Sequence, residues 1–131
     1  MLDTMFHVWS EEIDIHHFVN KYSISKDEYW VKGIKDTVGR VRTHSGFKFL
    51  ISDNEDVLEH FSDLKTFLIS DKELITELKE KNMNMCFNVG MTFNVSKYYS
   101  KNFTFTNDIL KVIADAGIDI EISTYVETEE E

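Results

Sequence analysis

Proline is absent from all 131 residues, where ordinary usage of about 5% would supply several. The loops must therefore turn on Gly, Asn, Asp and Ser, and no proline guards the strand edges. The single cysteine, Cys86, excludes an internal disulfide and suits a reducing compartment, so a cytoplasmic location is expected. Five glycines form no phosphate-cradling loop, and there is no Gly-x-Ser-x-Gly elbow. No apolar run approaches the roughly 18 residues of a spanning helix. The opening MLDTMFHVWSEE lacks a basic n-region and a long apolar h-region, so neither a membrane segment nor a signal peptide is expected.

The spacings that pre-place metal ligands are missing as well. His16 and His17 are adjacent and diverge by about 100° on a helix, while His44 and His60 stand alone. There is no His-x-x-x-His, Cys-x-x-Cys or Glu-x-x-His pattern. No histidine stands beside Cys86 in sequence to activate it. Acidic groupings such as Glu11-Glu12 and Asp53-Glu55-Asp56 more often complement helix N-termini than serve acid–base chemistry. The expectation is a protein with no enzymatic activity, no metal and no cofactor.

What the chain does have is acid, aromatic side chains and clear periodicity. Twenty-four Asp and Glu against fourteen Lys and Arg give a net charge of −10, and without Glu127, Glu129, Glu130 and Glu131 the balance is still −6. A field of that sign repels phosphate backbones and anionic lipid and draws in basic partners. Neither direct nucleic-acid binding nor membrane binding is expected. Ten phenylalanines, five tyrosines and two tryptophans can fill one core.

TMFHVWS (4–10) sets Met5, His7 and Trp9 on one side and Phe6 and Val8 on the other, which reads as a strand. IDIHHFVNKY follows with Ile15, Phe18, Val19 and Tyr22 at helical spacing and Asp14 as N-cap. EYWVKGI and, after Gly39, VRTHSGFKFLIS read as strands, with Gly46 as a bulge or turn. Asp53 opens a helix with Val57, Phe61, Leu64 and Leu68 on one face and Leu58 beside it. The capping-box pattern from Ser70 to Glu73 starts a second helix. MNMCFNVGMTFNV (83–95) alternates strictly, with Met83, Met85, Phe87, Val89, Met91, Phe93 and Val95 on one face. Thr106 caps a further helix that Gly117 ends. In IDIEISTYV (118–126), Ile118, Ile120 and Ile122 face inward and Asp119, Glu121 and Ser123 outward.

Strands with one polar face argue against a parallel sheet covered on both sides. The expected fold is α+β: a two-layer sandwich, ferredoxin-like or related, with an antiparallel or mixed sheet and helices packed mainly on one face. One domain spans residues 1–126, and 127–131 form an acidic disordered tail.

The order of these landmarks resembles the DUF4279 family of small bacterial domains. The resemblance rests on the early helix EEIDIHHFVNKYSI, the turn YWVKG, then SGFKFLIS, LEHFSDLKTFL, and the closing FTFTNDILKVIADAGIDIEISTYV. Val31 stands where the family's turn more often carries lysine, and Asp14 stands where a proline commonly precedes the helix. The resemblance implies the fold and carries no established activity.

Two functions are expected. The first is an acidic immunity- or inhibitor-type protein that neutralises a basic partner such as a toxin or nuclease, acting as a monomer or weak homodimer. Its partner-binding residues would come from Asp53, Glu55, Asp56 and Glu59 on the first long helix, or Asp119, Glu121 and Tyr125 on the last strand. Trp30 could add apolar area, although packing over the edge of the core is the simpler role for it. The alternative is a small-molecule sensor or minor enzyme with a pocket near Trp9, Trp30 and His44, between sheet and helices.

Overall fold

A computed structural model describes residues 1–94 and 102–127. The chain runs β1 (Leu2–Ser10), α1 (His16–Tyr22), β2 (Tyr29–Trp30), β3 (Ser45–Ser52), α2 (Val57–Ser70) and α3 (Lys72–Glu80). It continues with β4 (Asn84–Asn94), α4 (Asn107–Asp115) and β5 (Asp119–Glu127). The strands form one sheet in the order β2-β3-β1-β4-β5. β1 pairs antiparallel with both β3 and β4, β2 pairs antiparallel with β3, and β5 joins β4 in parallel. The first four strands thus have a ferredoxin-like order with split crossovers, and α4 with β5 adds a parallel strand at one edge.

β1 buries every second residue, Leu2, Thr4, Phe6, Val8 and Ser10, as a period of two requires when one face is covered. Phe6 meets Phe47, Phe49, Phe67 and Phe87 at centroid distances of 5.0–6.3 Å. Phe18 of α1, Leu64 of α2, Leu78 of α3 and Ile109 of α4 belong to this same core. All four helices therefore cover one face of the sheet and leave the other open.

Several local expectations need correction. Asp14 is not the N-cap of α1; Ile15 is, although the Asp14 carboxylate accepts the His16 N–H at 2.9 Å. The second strand shrinks to Tyr29–Trp30, and the third starts at Ser45 rather than Val41. Between them residues 33–42 fold back as a small hairpin, closed by Gly33 N to Arg42 O at 2.9 Å and Asp36 N to Arg40 O at 2.8 Å. Gly46 is no turn: it pairs with Trp9 inside β3, and the register irregularity falls between Thr4 and Met5.

Asp56, not Asp53, caps α2, accepting the Glu59 N–H at 3.0 Å. Its fully buried stripe is His60, Phe61, Leu64 and Phe67; Val57 and Leu68 flank it, and Leu58 is 77% exposed. The two helices meet at a corner as expected, but Asp71 is shared between their ends and no side chain caps α3, so the Ser70–Glu73 capping box does not form. Thr106 does precede α4, but its hydroxyl bonds the Asp108 carboxylate rather than the backbone. Gly117, at φ +76°, supplies the left-handed turn that ends the helix.

β5 also departs from expectation. Ile118 is buried and Ile120 packs against the core, but Ile122 is 54% exposed because the core ends short of it. Glu127, assigned to the tail, pairs with Asn94 within the sheet. Val95 and residues 128–131 lie outside the described residues.

Glu77 of α3 ties that helix to α1. Its carboxylate accepts hydrogen bonds from Tyr22 Oη at 2.5 Å and Lys21 Nζ at 3.0 Å and contacts the His17 ring. These bonds, Tyr22 first, hold its carboxyl down at about 2.

His60 is fully buried in α2. Its Nδ1–H donates to the Asn54 carbonyl at 2.9 Å, and its Nε2 pairs with the Thr4 hydroxyl at 2.6 Å. The pair joins α2 to β1 through two polar groups that have no water to replace a lost partner. His60→Leu is expected to cost about 1–3 kcal/mol by stranding the Thr4 hydroxyl. Adding Thr4→Val should recover much of that loss in urea unfolding; a double variant no more stable than His60→Leu would contradict the coupling.

Candidate functional site

Alternation places Met5, His7 and Trp9 of β1 on the open face, and cross-strand register decides what surrounds them. His7 lies between Lys48 of β3 and Cys86 of β4. On the β4–β5 side, Cys86 pairs with Asp119, Asn88 with Glu121, Gly90 with Ser123 and Thr92 with Tyr125. On the open face Asn88 and Thr92 of β4 therefore stand beside Glu121 and Tyr125 of β5.

Asp119, Glu121 and Tyr125 are exposed, and neither carboxylate forms an ion pair among the described residues. Cys86 has the outward register but is buried, with Sγ donating to Asn88 Oδ1 at 3.3 Å. Burial pushes its thiol upward, and Glu121 and Asp119 push it further in the same direction. At neutral pH it is a protonated thiol, which is a poor nucleophile.

The opposite side of the face is aromatic and cationic. In β2 it is Tyr29 that packs against the core, while Trp30 turns outward, so Trp30 is not the core anchor its apolar bulk suggests. Its ring lies on Gly46, where an added Cβ would strike the Val8 carbonyl oxygen and come 2.7 Å from Trp30 Cζ2. The fit leaves Trp30 Nε1 buried without a hydrogen-bond partner among the described residues. His7 sits 5.4 Å from Trp30 and 4.6 Å from Trp9, His44 is 5.9 Å from Trp30, and the Arg42 guanidinium lies 5.5 Å above the Trp30 ring. The grouping of Trp9, Trp30 and His44 holds, but on the face turned away from the helices and not between sheet and helices.

The contacts of His7 and Arg42 with Trp30, and of Lys48 with His7, are not among the sequence expectations. The outward register of His7 with Trp9 was the signal available; the neighbours of β1 were not. Burial, then Lys48, then His44 lower the His7 pKa to about 4.

The acidic residues before and within α2 serve the fold. Asp56 is the cap, Glu55 accepts the Leu2 N–H at 3.1 Å, and Glu59 accepts the Asn54 side-chain amide at 2.8 Å. Asp53 precedes them in the connection from β3. The structure therefore groups Asp119, Glu121 and Tyr125 on β5, and sets Asp53, Glu55, Asp56 and Glu59 apart from them at the start of α2. Among the described residues no three His, Cys, Asp or Glu side chains cluster to hold a metal ion, and no helix is long and apolar enough to cross a membrane.

Comparison with known families finds that the model of a domain of unknown function, DUF4279, matches residues 2–127. No curated protein and no solved structure matches the chain.

The half-buried position of His7 makes a prediction about pH. The unfolded chain takes up this proton near the ordinary 6.5 and the folded chain only near 4. The side chain therefore lowers stability as pH falls from about 6.5 to about 4. The His7 ring resonances should titrate at about 4, and Lys48→Gln should raise that midpoint. A midpoint near 6.5 in the intact protein would contradict the packing described.

Proposed function

The chain belongs to the DUF4279 family, and we propose that it is a protein-binding module without catalytic activity. On this reading it is an acidic immunity- or inhibitor-type protein that neutralises a basic partner such as a toxin. The observation that carries the proposal is the pairing of Asn88 with Glu121 and of Thr92 with Tyr125 on the open face. Two exposed carboxylates there, Asp119 and Glu121, have no cation of their own among the described residues.

A flat row of carboxylates, amides and one tyrosine can receive lysine and arginine side chains by charge-assisted hydrogen bonds. Tyr125, 60% exposed, adds apolar area with a polar tip. The net charge of −10 draws a basic protein toward this face and repels nucleic acid. Rigid backbone serves such docking well, and β4 is held on both sides, by β1 and β5. Asp53, Glu55, Asp56 and Glu59 play the smaller part, since three of the four are engaged in hydrogen bonds within the fold. A bacterial cytoplasm suits the single buried thiol.

Affinity capture from the source cell lysate with the tagged protein tests the proposal, at low and at moderate salt. One basic protein should be retained in stoichiometric amount at moderate salt and lost with the Asp119→Lys/Glu121→Lys variant. A bait that emerges alone, or a charge-reversed bait that retains the same protein, would overturn the reading.

A further inference from the structure

The strongest local exception to the acidity of this chain surrounds Trp30. Residues 26–48 carry six basic side chains against Asp27, Glu28 and Asp36. Three of the six, Lys26, Lys35 and Arg42, line a cleft of about 340 Å³ together with Tyr29, Trp30 and Ile34. That volume is at the small end of ligand sites, enough for a single ring with one charged group.

The charges in this cleft are not balanced. Asp36 also lines it, but its carboxylate accepts the Val38 and Arg40 N–H groups at 3.0 and 2.9 Å and faces the Arg40 side chain at 3.8 Å. Lys26, Lys35 and Arg42 form no ion pair among the described residues. Concentrating unpaired cations at one place is electrostatically costly, and an anion between them relieves that cost.

The walls are also set in advance. The Arg42 backbone is held at both ends, its carbonyl accepting the Gly33 N–H at 2.9 Å and its N–H donating to the Ile34 carbonyl at 3.0 Å. Lys35 faces Val41 across the same hairpin. Gly33 and Gly39, at φ +87° and +84°, allow the turns that close it. The Arg42 guanidinium over Trp30 keeps a planar cation beside an aromatic ring. Such a fork binds carboxylate or phosphate in two-point fashion while its plane and the indole accept a flat ring.

We infer that the cleft formed by Trp30, Tyr29, Lys26, Lys35 and Arg42 binds a small aromatic anion, a single ring bearing a carboxylate or phosphate. The site lies at the β2 end of a sheet whose other end is β5, so it does not depend on the docking surface proposed above and its test is separate.

Phenyl phosphate is a suitable probe, with benzyl alcohol as the uncharged comparison, followed through the amide and indole N–H resonances of the folded protein. Phenyl phosphate should give saturable shifts confined to residues 26–44 and the Trp30 indole, and benzyl alcohol none. Arg42→Gln should weaken binding at least tenfold. Lys35→Gln should weaken it severalfold without touching the Trp30 stack, which separates lost charge from a disturbed fold. Shifts that do not saturate, equal binding of benzyl alcohol, or unaltered affinity in both variants would overturn the inference.

Discussion

One-sided burial of β1 is the constraint on which the rest of the structure depends. The strand is bonded along both edges, to β3 and to β4, so its pleat sets which residues of both neighbours face inward. With Phe6 and Val8 turned in, Phe47, Phe49, Met85 and Phe87 follow, and the helices have one apolar face to cover. The same alternation turns His7 and Trp9 out. A slip of one residue would exchange the two sets, burying His7 and exposing Phe6, a change that no local compensation could offset. The buried Thr4–His60 pair adds a polar contact that only one register satisfies.

The open face that results is electrically uneven. Carboxylates of β5 lie toward one edge, while Lys48, Arg42 and the imidazoles gather toward the other around Trp30. A sheet with helices on both sides would have hidden all of these groups. Here the helical layer supplies the stability and the uncovered layer presents the chemistry. The proposed docking surface uses that division.

Much of this was legible from periodicity alone. The two-residue alternation of β1 and β4 gave away their faces, and the helical spacing around Phe61 and Leu64 located α2. The α+β class and the one-sided helical layer followed from those patterns. Helix ends were harder: Asp53 and Asp56 are chemically alike as caps, and the chain's exit from β3, absent from local pattern, selects Asp56. Trp30 was misread for a similar reason. Its neighbour Tyr29 and it have comparable apolar bulk, and only pairing with Phe47 and Gly46 determines which turns inward. The outward setting of Asp119 and Glu121 was legible because β5 alternates, and the pairing of β5 with β4 sets Cys86 and Asn88 beside them. The grouping of Lys48 with His7, and of His7 and Arg42 with Trp30, was not legible, since it depends on contacts between separate segments of the chain.

The central claim is that the uncovered sheet face, and not the helical layer, meets the partner. Amide hydrogen exchange of the free protein and of its complex with the captured basic protein tests this most directly. The account predicts added protection along β4 and β5, over residues 84–94 and 119–127, with α1 to α4 unchanged. Added protection confined to the helices, with both strands exchanging as in the free protein, would contradict it.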